Sequence, residues 1–143
     1  MSEAATRSIV VEREMPYPPE KIWRALTTSA LIADWLMEND FEPVAGRRFQ
    51  FRAKPMPGWS GVTNCEVVEA DPPRRLVYRW GDGTESASGL KTLVTWTLAP
   101  TPGGTTVRME QSGFRPEDEG GYQAMSGGWP HILEGLERVS GGE

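Results

Sequence analysis

Apolar and polar positions alternate along most of this chain, and the period lengthens at two places. Ser8 to Met15 opens with the β-branched run Ile9-Val10-Val11 and continues through Glu12-Arg13-Glu14, which predicts a strand. Pro16, Pro18 and Pro19 end it. Pro19 suits the first turn of a helix, where a missing N–H costs nothing, and Glu20 sits near the positive end of that helix. Ile22, Trp23 and Leu26 then form one apolar stripe. Thr28 or Ser29 is placed to cap a second short helix, Ala30 to Trp35.

Residues 41 to 114 read as antiparallel strands. Phe49 and Phe51 share one face, and Arg48, Gln50 and Arg52 share the other. Val62 to Glu69 is a strand stopped by Asp71-Pro72-Pro73. Leu76, Tyr78 and Trp80 alternate with Val77 and Arg79 until Gly81-Asp82-Gly83 breaks the run. Leu90, Thr92, Val94, Trp96 and Leu98 form the next alternating face. After the turn formers Thr101-Pro102-Gly103-Gly104 come Val107, Met109 and Gln111. The short connections favour a meander over parallel crossovers.

The final segment changes period. Tyr122, Met125, Trp129, Ile132, Leu133, Leu136 and Val139 follow the spacing of one helix face, with Pro130 either kinking the helix or opening its second half. The predicted class is therefore α+β. A curved antiparallel sheet wraps around a long C-terminal helix, with two short helices after the first strand, all in one domain over residues 1–143. The terminal helix is the element long and apolar enough to cover the sheet. A bent sheet around it leaves a space between the two, which a ligand can enter.

Composition narrows the function classes. The 143 residues carry a net charge of −5, against the basic surface that nucleic-acid binding needs. One cysteine, Cys65, excludes an intramolecular disulfide, and a single histidine, His131, excludes a His/Cys zinc cage within one chain. No apolar run approaches the roughly 20 residues of a membrane span, and the N-terminus lacks the pattern of a signal peptide. The expectation is a cytoplasmic protein with no cofactor, no metal, no nucleic acid and no membrane insertion.

Several segments in order resemble a known family. They are Pro18-Pro19-Glu20-Lys21-Ile22-Trp23-Arg24-Ala25-Leu26-Thr27, then Trp35-Leu36, then Gly46-Arg47-Arg48-Phe49-Gln50-Phe51. Val67 to Trp80, Gly103-Gly104-Thr105, Ser112-Gly113-Phe114 and Gly128-Trp129-Pro130 continue the series. Together they resemble the START-like (SRPBCC) superfamily, in its branch of homologues of the activator of the heat-shock chaperone ATPase. The resemblance implies a helix-grip fold with an internal, mainly apolar cavity. It implies no single catalytic set, because members include lipid and hormone binders, aromatase/cyclases and chaperone-ATPase activators. Relatives often carry His before the Ser/Thr-Gly-Phe motif, where this chain has Gln111.

The candidate ligand-binding residues are aromatic and sulfur side chains at inward positions. From the sheet and short helices come Trp35, Phe49, Phe51, Tyr78, Trp80, Trp96 and Met109. The terminal helix adds Tyr122, Met125 and Trp129. Flat rings with flexible Met suit an apolar guest of loose shape, and they equally suit plain core packing. Gln111, at an inward position, is a polar handle for a ligand or for the backbone. Trp59, in the turn-rich loop Lys54 to Gly61, is a lid over the cavity mouth or a partner contact, unless it folds back onto the sheet edge. His131 falls about 200° around the helix from Trp129 and faces solvent. No catalytic residue is assigned. The partner expected is a small hydrophobic molecule. The alternatives are a chaperone or other protein bound as an activator-type module, and a cyclase- or hydrolase-like enzyme whose titratable candidates are Glu12, Glu14 and Glu69.

Overall fold

The computed structural model describes residues 7–54, 61–81 and 91–141. Strand β1 runs Arg7–Met15, followed by helices α1 (Pro19–Thr27) and α2 (Ser29–Trp35) and the two-residue strand β2 (Glu38–Asn39). Strands β3 (Arg48–Arg52), β4 (Val62–Asp71), β5 (Arg75–Gly81), β6 (Lys91–Thr101) and β7 (Gly104–Phe114) follow. A 3-10 turn at Pro116–Asp118 leads into helix α3, Glu119–Ser140.

The strands form one antiparallel curved sheet in the order β1-β7-β6-β5-β4-β3-β2. The alternation is clear in β6, where Thr92, Val94, Trp96 and Leu98 are buried and the residues between them are not. β1 lies beside β7 through register pairs such as Val11 with Met109, so the first strand forms the edge of the sheet opposite β2. Gly113 has a positive φ of 99° at the register shift between Arg7 and Ser8, where an extra residue must be absorbed.

α1 opens with Pro19 and Glu20 and closes with Arg24, so its charges complement its dipole, and it buries Ile22, Ala25 and Leu26. Thr28 occupies the cap position of α2, but its side chain makes no capping bond. Ser29 instead donates to the Asn39 carbonyl at 3.0 Å and so ties α2 to β2. α3 lies across the inner face of the sheet. Its second half supplies Trp129, Leu133, Gly135, Leu136 and Ser140 to the interior, and Gly135 lets it approach the backbone of Trp35 closely. Pro130 sits inside a helix that continues through it.

Candidate functional site

The inner face of the sheet carries an aromatic floor. Phe49 and Phe51 of β3 stand 5.3 Å apart, edge to face, and Tyr78 and Trp80 of β5 extend the row, with Phe51 to Trp80 at 5.2 Å. Trp129 descends from α3 onto this row, 5.7 Å from Trp80 and 5.8 Å from Trp96. Trp35 of α2 meets Trp96 from the other side at 5.7 Å, and its indole donates to the Ala25 carbonyl at 2.9 Å. Met109 of β7 is fully buried beside them. Eight of the predicted site residues thus join one buried cluster, and Tyr122 and Met125 pack against it as half-buried neighbours at the start of α3. Trp59, and the loop suggested as a lid or contact, lie outside the described residues.

The polar groups of this interior bond to one another. The Trp129 indole donates to Gln111 Oε1 at 2.8 Å, Gln111 Nε2 donates to Thr92 Oγ1 at 2.8 Å, and Thr92 Oγ1 donates to the Trp80 carbonyl at 3.0 Å. A chain of neutral hydrogen bonds therefore crosses from α3 through β7 and β6 to β5. A second link joins Trp96, whose indole donates to the Tyr78 hydroxyl at 3.0 Å. Burial pushes the Tyr78 phenol well above its ordinary range, against the lowering influence of the Trp96 bond. Burial likewise pushes the Cys65 thiol far up. Both groups stay neutral at ordinary pH.

The space expected to be hollow holds side chains in this structure. Trp96, Met109, Gln111, Trp129, Leu133 and Leu136 are all essentially without solvent contact. The reason is volume. The indoles of Trp96 and Trp129 meet edge to face with centroids 5.8 Å apart, which is direct packing contact between sheet and helix at that level. Anchoring is nevertheless uneven along α3. From Glu119 to Gly128 no described side chain is buried, whereas from Trp129 onward the helix is clamped.

Sequence reasoning missed three contributors. Phe41 packs edge-on to Phe49 at 5.0 Å from an irregular segment with no period to reveal it. Phe114 meets Tyr122 at 5.3 Å from the end of β7, where it is buried out of step with the alternation. Thr92 stood in the predicted inward face of β6, and that parity was the available signal for its role. The carboxylates considered for chemistry lie on the opposite face. Glu12 pairs with Arg108 at 3.5 Å, Glu69 with Arg75 at 3.1 Å, and Glu14 accepts from Thr106 at 2.7 Å. His131 is exposed and 3.6 Å from Glu134. Among the described residues no group of His, Cys, Asp and Glu is placed to hold a metal ion, and no helix is long and apolar enough to cross a membrane.

A seven-stranded antiparallel sheet curved under a long C-terminal helix, with two short helices closing one end, defines a helix-grip domain of the START-like superfamily. The family described as Activator of Hsp90 ATPase homolog 1-like protein matches residues 16–141, and the chain belongs to that family. Among solved structures, a Mesorhizobium loti protein is 47% identical with a TM-score of 0.85, over 93% of this chain and 96% of that one. A Bacillus halodurans protein is 26% identical with a TM-score of 0.77, over 94% and 96% of the two chains. DynU16, a protein of the dynemicin biosynthetic locus, has the same fold at 23% identity and a TM-score of 0.72, over 92% of this chain and 46% of its own. A search of curated proteins finds no match.

Proposed function

We propose that this protein binds a small apolar or aromatic molecule between the inner face of the sheet and α3, admitted by displacement of the first half of that helix. The observation that carries the reading is the uneven anchoring of α3 beside an aromatic floor. Four of the ten residues before Trp129 are glycines: Gly120, Gly121, Gly127 and Gly128. A methyl group added at any of them would meet no atom within 4 Å. Each glycine weakens a helix by roughly 0.5–1 kcal/mol relative to alanine, so this half is intrinsically labile. Pro130 offers no N–H to the turn before it, which places the weak point just ahead of the clamped half.

The interior chemistry selects the guest. Tyr78 and Cys65 remain neutral, and the other polar groups of the site are amide, hydroxyl and indole. An ionised group brought among them would lose its hydration without compensation, so the buried part of the ligand is uncharged. Domains of this class often bind hydrophobic ligands, which supports the same reading. Affinity comes from apolar area removed from water, at roughly 25 cal/mol per Å² before ordering costs. It is reduced by the fraction of time that the helix is closed. On this reading the site of action is the cytoplasm.

The test is titration of a mixed lipid and aromatic metabolite library, followed by intrinsic tryptophan fluorescence, with wild type and a Gly127→Ala/Gly128→Ala variant. Saturable quenching by at least one compound, entering more slowly in the variant, is the expected result. No response to any member overturns the proposal. The chaperone-activator and enzyme alternatives draw less support. Val10, Val44 and Val68, the exposed large apolar residues among those described, sit on separate segments, and the candidate carboxylates face away from the interior.

A further inference from the structure

Two buried protons on the inner face of the sheet have no acceptor. The Tyr78 hydroxyl, on a residue 3% exposed, accepts from the Trp96 indole at 3.0 Å. A phenol also has one proton to give, and among the described residues that proton meets no acceptor. Gln111 repeats the pattern. Its oxygen accepts from Trp129 and one amide proton goes to Thr92, which leaves the second amide proton unused. The register brings the two together. Val94 of β6 pairs with Tyr78 on one side and with Gln111 on the other, so both donors flank one short apolar side chain in a single inward row. The other donors nearby are matched: the indoles of Trp35, Trp96 and Trp129 each have an acceptor, and the Thr92 hydroxyl both gives and receives.

We infer that the guest of the interior site carries a carbonyl oxygen, which accepts the proton of the Tyr78 hydroxyl. This names the polar feature of the small apolar or aromatic ligand proposed above and rests on that reading. A second lone pair left idle on a buried oxygen is tolerated, whereas a buried proton without an acceptor carries the full cost of its desolvation. The Trp96 bond explains why an oxygen stands at this position, but it does not use the proton. Burial holds the phenol in its neutral form, so the proton stays in place at ordinary pH. A carboxylate would also accept it, at the cost of burying a charge with no cation beside it, so the acceptor is neutral. Rings bound the phenol, with Phe49 edge-on at 5.5 Å and Trp80 stacked at 6.5 Å, and they suit a flat apolar body behind the carbonyl.

The probes are 9-fluorenone and fluorene, flat molecules of the same outline that differ in one carbonyl. Equilibrium dialysis measures both affinities, and infrared spectroscopy reads the carbonyl stretch of bound fluorenone. Fluorenone is expected to bind about three- to tenfold more tightly than fluorene, with its stretch below the position in cyclohexane, as a hydrogen-bonded ketone shows. Tyr78→Phe keeps the ring, removes the proton, and is expected to abolish both the preference and the shift. That variant also leaves the Trp96 indole without its acceptor; should it fail to fold, the wild-type affinity ratio and stretch decide alone. Equal binding of the two probes with the stretch at its cyclohexane position would overturn the carbonyl assignment and leave the interior site standing. A preference and shift that survive in folded Tyr78→Phe would remove Tyr78 as the donor. Binding of neither probe would count against the interior site itself, and the assignment would fall with it.

Discussion

The indole of Trp129 donates to the side-chain oxygen of Gln111 at 2.8 Å, and that bond fastens the terminal helix to the centre of the sheet. Gln111 is fully buried. Its amide passes the link on to Thr92, so one residue satisfies two neighbours at once. The amide side chain of Gln111 does not titrate. The fastening is therefore insensitive to pH in the range where histidine would switch.

Replacing Gln111 by alanine removes both bonds and leaves a cavity. The expected loss of stability is about 2–4 kcal/mol. Gln111→Met keeps the volume but strands the indole N–H, and costs about 1–3 kcal/mol. Urea unfolding with an unchanged m-value measures both. Losses below about 1 kcal/mol in both variants would show that the chain of bonds does not hold the helix.

Gly104 allows a different close approach. It pairs with Thr101 at the β6–β7 turn, and a Cβ there would collide with the backbone carbonyl of Met15 at the end of β1. Backbone cannot swing aside as a flexible side chain does. Gly104→Ala is expected to cost about 2 kcal/mol or more, whereas Gly103→Ala, with open space around it, stays within about 0.5 kcal/mol. Thermal unfolding of the two variants side by side makes the comparison, and equal effects would refute it.

The entry to α3 carries a pH signature. The Asp118 carboxylate accepts from the Arg115 backbone at 2.8 Å and from the Arg115 guanidinium at 2.9 and 2.8 Å. Hydrogen bonding to Arg115 holds its acidity below the ordinary aspartate range. A folded-state pKa depressed in this way contributes stability that is full above the unfolded value of roughly 4 and is lost as pH falls through the folded value. Asp118→Asn should therefore destabilise at neutral pH and flatten the acid limb below about pH 4. A stability–pH curve parallel to wild type would argue against the pair.

The strands were legible because the sheet is buried on one face. Most inward residues are apolar and most of their strand neighbours are polar, so Phe49 with Phe51, and Trp80 with Trp96, could be placed on one side from parity alone. β2 spans two residues, too few to show a period, and Phe41 follows it in irregular chain; neither leaves a pattern. Apolar spacing in α3 put Tyr122 and Met125 on the same face as Trp129, which is correct. It does not report how near that face lies to the sheet, and burial fades before Trp129.

The glycines of α3 give the sharpest link between sequence and function. Gly120, Gly121, Gly127 and Gly128 occupy helical positions where added methyl groups meet nothing, so alanine there fills no occupied space. Each replacement is expected to stabilise by about 0.5–1 kcal/mol by restricting the unfolded chain and favouring helix. The gain should be local. Amide exchange in residues 119–128 should slow, while the already clamped turns from Trp129 onward change little. If the first half of α3 is the entrance, the same substitutions slow ligand entry although they touch no ligand. Unaltered exchange together with unaltered entry rates would mean that this half of the helix is as firmly held as the rest, and that a guest must find another way in.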